Sequence, residues 1–555
     1  MTKNFERMKR YQILNRVKFI LKPFFCFLVS LNKKINPLFF LKNYQDEIKR
    51  EKLEKLLFKL PELESSFSGT VLLDAQWDNP NYWYRYSLIR KALGLSNCSE
   101  VAVTGPFNTK RINKTLKTLN INNFGQFESF FPDKEKIKIE VAVFLKNIKT
   151  TSDLLNSKMP FDWPSSLVYD GILKHQTNAT VDLKHPNFKK NLFEAFSSIY
   201  AAKKIIDETH PDLLLISHAI QFRYSALVWQ CLLKNIPIIV LYGNHGSPSF
   251  FKINSIDDMY NWMDAPDLND INSLDSTEYE FFHNAGEQYL HKRFSGLTKD
   301  LGAIYSYGKR SVIRSKKDLL DYFGWDQGKK IVTVYTANWF DFPHAFGMSN
   351  FIDFKDWLDS TIEIAKENSN VLWLFKAHPI DQRYGGITLK DLMNNVSEDH
   401  IKITPDDWNN NMIMNSVDAI ITYHGTSAIE FASKGIPVLI PDRGWFHDIG
   451  FCIWSRTREE YLDYLKTEWW EEFDIEKSKN LAKVFAGWHF TITKWQEKIF
   501  MEDDSLQNEL YDHLIDIFNS ENKRSLNKEI LTLRDWFYSN YRLYNTFKLR
   551  FHKNL

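Results

Sequence analysis

The sequence predicts an α/β chain of two Rossmann-like domains facing a central cleft, with helical extensions at the N and C termini. Three observations predict this. Apolar runs without polar alternation recur between amphipathic stretches, the pattern of buried parallel strands covered by helices on both faces. The rhythm occurs twice and is broken once, by a polar stretch at 256–325. And 555 residues are more than one hydrophobic core encloses.

Residues 1–64 form the first extension. From Arg16 to Tyr44, "RVKFILKPFFCFLVSLNKKINPLFFLKNY" mixes basic with large apolar residues. Its longest uncharged run, Pro23 to Asn32, falls short of the roughly 20 residues that span a bilayer. Such a segment either lies on an anionic membrane surface or packs on the protein's own body. The tail Trp536–Leu555, "WFYSNYRLYNTFKLRFHKNL", has the same basic-aromatic character and tips the reading towards peripheral membrane contact.

In the domain expected at 65–255, "GTVLLDAQ", "EVAVTG", "PDLLLISH" and "IPIIVLYG" read as strands. "YRYSLIRKALGL", "FEAFSSIYAAKKIIDET" and "YSALVWQCLLKN" read as helices. Residues 256–325 read as a helical connector. The second domain, expected at 326–500, carries the strands "KKIVTVYTA", "NVLWLFKAH", "DAIITYHG" and "IPVLIPD", and residues 501–555 a helical tail.

Composition narrows the class. An apolar content of 44% and a charged content of 25% describe an ordinary soluble chain, and a net charge of +2 gives no signature of nucleic-acid binding. The four cysteines (Cys26, Cys98, Cys231, Cys452) are far apart with no CxxC spacing, which argues against a zinc site or disulfide framework and for a reducing cytoplasm. No convincing secretory signal is present, so the expected location is cytoplasmic, at the inner face of the cytoplasmic membrane if the basic segments bind it.

In two such domains the strand C-termini line the cleft, so motifs there carry most weight. In Ser416–Gly444 a strand ends at Tyr423, and His424-Gly425-Thr426-Ser427 turns into a helix carrying Glu430. Free amides at a helix start favour an anion, Thr426 and Ser427 add hydroxyls, and Glu430 suits ribose hydroxyls. Ser427-x-x-Glu430 is equally a capping box, which needs no ligand. Upstream, "NVLWLFKAHP" delivers Lys376 and His378 to a strand tip, where Pro379 stops the strand.

The pair "LFKAHP" and "DAIITYHGTSAIEFASKGIPV" resembles the donor half of GT-B glycosyltransferases, and within them the capsule polysaccharide biosynthesis proteins, over Lys329 to Arg443. The resemblance implies a metal-independent transferase moving a sugar, Kdo-like or sialic acid, from a CMP-activated donor to a surface polysaccharide or glycolipid. It implies no cofactor, because the nucleotide sugar is a substrate. Carried over, His378 would contact the donor phosphate or the ribose, Thr426 and Ser427 the phosphate, and Glu430 the ribose. His424 and Arg443 add candidate donors on the same rim, and Asn338, Asp341 and His344 form a further cleft-facing loop in "YTANWFDFPHAFG".

An acceptor alcohol needs a base, expected on the first domain: Asp74 or Asp78 in "LLDAQWDNPNYWYRY", or His218 or His245 at later strand tips. Trp77, Trp83 and Tyr84 are candidates for stacking on sugar faces. No D-x-D at a suitable strand end, no P-loop and no G-x-G-x-x-G is present. Competing readings are a CDP-polyol phosphotransferase, a UDP-sugar epimerase and a non-catalytic glycan-assembly protein.

Overall fold

The computed structural model describes residues 37–544, apart from 61, 65–66, 108, 243–248, 261–264, 299–300, 309–314, 380–385, 492–509 and 520–522. Of the basic segment Arg16–Tyr44, residues 16–36 lie outside the described residues and residues 37–44 begin the helix Pro37–Phe58, and no described helix is long and apolar enough to cross a membrane.

Two six-stranded sheets organise the chain. The first contains β1 (Thr70–Ala75), β2 (Ser99–Thr104), β3 (Asn123–Gln126), β4 (Leu213–Ile216), β5 (Ile238–Tyr242) and β6 (Ser249–Ile253), in the order β3-β2-β1-β4-β5-β6. All pairs are parallel except the antiparallel edge β5–β6. The second contains β7 (Lys330–Tyr335), β8 (Val371–Lys376), β9 (Ile401–Ile403), β10 (Ala419–Thr422), β11 (Val438–Ile440) and β12 (Ile453–Trp454), in the order β12-β11-β10-β7-β8-β9 and parallel throughout. The strands read as continuous apolar runs because helices cover both faces, and β4, β8, β10 and β11 are buried at every position.

The strand orders fix where ligands bind. In the first sheet the chain leaves β1 on one side for β2 and β3, then returns on the other side at β4. In the second it leaves β7 for β8 and β9, then returns at β10. The switch points therefore lie between the carboxyl ends of β1 and β4 and between those of β7 and β10, where a crevice opens.

The helix Ser165–Gln176 joins the two carboxyl edges. Gly171 sits so close to Phe222, at the start of the helix after β4, that a Cβ would lie 2.3 Å from its ring. The adjacent Asp170 grips the loop after β7 through His344. One apolar cluster runs continuously from Leu72 and Ile216 in the first sheet to Val334 and Phe375 in the second.

The polar stretch expected as a connector is built onto the second sheet's unit. Its helix Ser276–Phe294 packs along the helix Ile475–Thr491, and the two cross where Gly286 and Gly487 leave no room for a Cβ.

Part of the tail packs on the protein. Trp536 and Tyr544 are fully buried, their rings 6.2 and 5.9 Å from Phe250. Tyr544 N donates to Phe250 O at 2.8 Å and Lys252 N to Arg542 O at 2.9 Å, so the chain extends the sheet beside β6. Trp536 and Tyr544 are thus core residues, whereas Tyr538 is 53% exposed. Residues 545–555 lie outside the described residues.

Candidate functional site

On the first unit, β1 and β4 bring Asp74 and Ser217-His218 together at the switch point. Asp74 is 1% exposed and accepts from Gln76 N on one oxygen (3.1 Å) and from Ser217 N (3.2 Å) and Oγ (2.6 Å) on the other. Burial pushes its carboxyl up against those hydrogen bonds. Both oxygens are engaged, so Asp74 is not the base that touches an acceptor.

Its hydrogen bonds reach one residue further. Ser217 Oγ, having given its proton to Asp74, accepts from His218 Nδ1 at 3.0 Å. That relay puts the proton on Nδ1 and the lone pair on Nε2 (the tautomer follows from the network). Burial, helped by the charge of Arg85, holds His218 down at about 4. The His218 ring lies 5.5 Å from Trp77, which is 50% exposed, and 5.3 Å from Tyr224.

Asp78 is also removed as a base: it pairs bidentately with Arg50, in a network that includes Glu54. Trp83 and Tyr84 are core residues, 1% and 0% exposed, and do not present faces to a sugar. His245 lies outside the described residues.

On the second unit, Tyr423 ends β10 with its hydroxyl on Asp442 at 2.6 Å. Asp442, unremarked in the sequence, also accepts from the amides of Ser349 and Asn350 (2.6 Å each), tying the loop after β7 to the turn after β11. His424 then stands at the β7–β10 switch point. Both its ring nitrogens are buried and neither has a hydrogen-bond partner. Its ring is enclosed by Tyr423 (4.6 Å), Phe346 (5.9 Å) and Phe354 (6.2 Å), and Gly444 leaves Nδ1 uncrowded: a Cβ there would lie 3.3 Å away. Burial depresses His424 to about 3, against the charge of Asp442. A buried imidazole lacking partners is an unmet demand for one donor and one acceptor.

The turn that follows is held differently from the expectation. Thr426 caps the helix Ser427–Ala432 without a side-chain capping bond, so no capping box forms. Glu430 accepts Arg293 Nε at 2.7 Å, the Tyr307 hydroxyl at 2.5 Å and Thr426 Oγ1 at 3.2 Å. The Arg293 and Glu430 side chains are each 3% exposed. Glu430 is therefore a buried ion-pair partner and not a ribose ligand. Ser427 Oγ is taken by Thr422 Oγ1 at 3.3 Å, and the Thr426 hydroxyl also receives Arg293 Nη2 at 3.3 Å. What this turn offers an anion is chiefly its backbone. A Cβ on Gly425 would stand 2.8 Å from Thr422 Oγ1, so only glycine fits there.

His378 follows β8 and is half-buried, and burial holds it down at about 4 against the charge of nearby Asp341. Lys376, 8% exposed, donates to Trp408 O at 3.1 Å. Together with Tyr305, Thr388, Lys390 and Thr404, the segment Lys376–Pro379 lines a cavity of about 100 Å³. That is below the roughly 300 Å³ of a ligand pocket and has room for a phosphate-sized group.

Of the loop after β7, Asn338 is buried, and Asp341 pairs across the seam with Lys174 at 2.8 Å. His344 is 6% exposed, with Nδ1 on Asp170 at 2.7 Å. Arg443 lies exposed at the rim beside Asp442.

The architecture is thus GT-B-like: two Rossmann-like units meeting near their carboxyl edges. No protein-family model matches the chain, and no curated protein matches it. Solved structures of similar arrangement include UDP-GlcNAc 2-epimerase from Neisseria meningitidis bound to UDP-GlcNAc, at 11% identity over 75% of this chain and 97% of that one (TM-score 0.24). Thermosulfurimonas dismutans KpsC, a β-Kdo 2,4-transferase, matches at 14% over 50% and 79% (TM-score 0.33). Anabaena Alr3699/HepE in complex with UDP matches at 10% over 76% and 95% (TM-score 0.27). Likeness at this level carries nothing about activity. The fold stands on its own strand orders.

Proposed function

We propose that the protein is a nucleotide-sugar-dependent glycosyltransferase. Its second unit binds the donor nucleotide and its first unit the acceptor glycan or glycolipid. The observation that carries this reading is His424 at the β7–β10 switch point, half-buried, with both ring nitrogens buried and unpartnered. A nucleotide phosphate or ribose placed there takes the N–H and fills the acceptor, while the Gly425–Ser427 backbone and Arg443 meet the negative charge. His378 stands at the adjacent strand tip and stabilises the leaving phosphate.

On the acceptor side, His218 Nε2 takes the proton of the attacking hydroxyl, with Ser217 and Asp74 holding the ring. The "LFKAHP" and "HGTSAIE" segments and their resemblance to capsule-polysaccharide transferases make a CMP-activated, Kdo-like or sialic acid donor the specific proposal.

The test is to incubate the protein with CMP-, CDP- and UDP-sugars and a bacterial glycan acceptor, and to measure released nucleotide. The expected result is acceptor-dependent release of CMP, reduced about 10²–10³-fold in His378→Ala. Conversion of a UDP-sugar into its epimer, still linked to UDP and without an acceptor or net nucleotide release, marks an epimerase. Absence of binding to every nucleotide sinks the proposal.

A further inference from the structure

The seam between the units contains a pair that the sequence does not announce. His344 lies in the loop after β7, and Asp170 lies on the helix Ser165–Gln176 of the other unit. Asp170 is 1% exposed. Its Oδ1 accepts His344 Nδ1 at 2.7 Å, and its Oδ2 accepts the amides of His344 (3.0 Å) and Ala345 (3.2 Å). A carboxylate only accepts, so Nδ1 carries a proton, and in the neutral ring the lone pair is then on Nε2. His344 is itself 6% exposed, and its Nε2 is buried without a partner.

Two further contacts brace this place. Tyr169 donates to Asp353 at 2.5 Å, with its ring 5.5 Å from His344, and Lys174 pairs with Asp341 at 2.8 Å. Two residues beyond His344, Phe346 packs 5.9 Å from the His424 ring, which also lacks partners. A purely structural histidine has both nitrogens satisfied. This one has a fixed orientation and a buried second nitrogen that no described protein group fills.

We propose that His344 is a sugar-contacting residue whose Nε2 accepts a hydrogen bond from a hydroxyl of the donor sugar, and that Asp170 is the positioning residue that holds it. This rests on the nucleotide-sugar reading above. Within it, the nucleotide occupies the second unit at His424, and the sugar beyond it extends towards the first unit. The seam is where that sugar lies. Because the two members of the pair come from different units, the contact exists only while the units are docked, so sugar recognition and docking reinforce one another.

The test compares each nucleotide sugar with its bare nucleotide: CMP-sialic acid with CMP, and UDP-GlcNAc with UDP, by titration calorimetry on the full chain. The readout is the Kd of the bare nucleotide divided by that of the nucleotide sugar, which isolates the sugar's contribution. His344→Asn keeps a donor to Asp170 but removes Nε2. It should cut that ratio about 10-fold and leave the bare-nucleotide Kd unchanged. Asp170→Asn should move the ratio in the same direction, again without changing the bare-nucleotide Kd, which loss of a merely structural contact would not do.

Should these variants fail to fold, a crystal structure of the wild-type chain with CMP-sialic acid or UDP-GlcNAc decides. A hydroxyl of the bound sugar should lie within hydrogen-bond distance, about 3 Å, of His344 Nε2. An unchanged ratio in His344→Asn, or a bound sugar that leaves Nε2 without a hydroxyl partner, overturns the inference and leaves the transferase reading standing. If the wild-type chain binds none of the four ligands, both fall.

Discussion

Replacing Glu430 with glutamine removes one negative charge and almost no volume. Glu430 Oε1 faces Arg293 Nε at 2.7 Å, Oε2 faces the Tyr307 hydroxyl at 2.5 Å, and both ion-pair side chains are 3% exposed. A glutamine keeps one acceptor oxygen and turns the other position into a donor. Either Tyr307 or Arg293 then loses its acceptor, and the guanidinium stays buried without a counter-charge. Breaking one side of such a pair costs about 3–5 kcal/mol. In a unit of roughly 200 residues, where 1 kcal/mol moves the transition about 2–4 °C, that is a fall of about 6–20 °C in Tm.

The assay is calorimetric unfolding of the full chain, following the transition that reports the second sheet. Nucleotide Kd is measured well below that transition and should stay within a few-fold of wild type. An Arg293→Met/Glu430→Met pair should regain much of the loss, since a buried ion pair replaced on both sides leaves no orphan charge. A Glu430→Gln variant that melts with wild type while its nucleotide Kd weakens about 10-fold or more would refute the ion-pair account and restore the ribose role.

Ser217→Ala disconnects His218 from Asp74 and should lower turnover about 10-fold while leaving the nucleotide-sugar KM unchanged. His218→Ala should cost about 10²–10⁴, and wild-type turnover in His218→Ala would remove it as base. Acid should destabilise the fold through neutral histidines: His218 and His378 are held at about 4 and His424 at about 3, mainly by burial. Unfolding raises each towards 6.5, so between pH 6.5 and those values the unfolded chain binds more protons. Stability should fall with pH at about 1.4 kcal/mol per unit for each histidine. Urea midpoints that stay level from pH 7 to pH 5 would contradict this.

The parts of the fold legible in sequence are those that depend on near neighbours. "VLWLFK" and "AIIT" show as strands because helices bury both their faces, and the polar residues that follow show as strand tips because proline or glycine ends the run. His378 and His424 were therefore readable as cleft residues. The state of His424 was not, because an orphaned imidazole is defined by what surrounds it in space. The decisive partners lie far away in the chain: Asp74 and Ser217 are 143 residues apart, Arg293 and Glu430 are 137, and Asp170 and His344 are 174.

Local pattern also misled where two outcomes share one pattern. Ser427-x-x-Glu430 matches both a capping box and a ligand turn, and the structure uses neither pattern for Glu430. The basic-aromatic tail suits a membrane surface as well as an added edge beside β6, and the burial of Trp536 and Tyr544 shows only that those two rings are core residues. Asp170 was readable only as a lone acid on the apolar helix "SSLVYDGILKHQ", a signal available in principle and weak by itself.

A common cause underlies these misses. Read as types, the carboxylates are the reactive candidates, yet in this fold they are spent holding other groups: Asp74 holds Ser217, Asp78 holds Arg50, Glu430 holds Arg293, Asp170 holds His344 and Asp442 holds Tyr423. An acceptor-only group buried in apolar surroundings must collect donors, and donors come most easily from the protein itself. An imidazole differs, because it carries a donor and an acceptor on opposite sides and is satisfied on one side while open on the other. At the carboxyl edges of the two sheets the open sides belong to His344 and His424, with His218 held from behind by its relay. On the proposed function, such a cleft would meet a ligand through imidazoles, which can both give and take hydrogen bonds. It leaves net charge to the exposed Arg443 and the backbone after β10, a division that suits a ligand with hydroxyls at one end and a phosphate at the other.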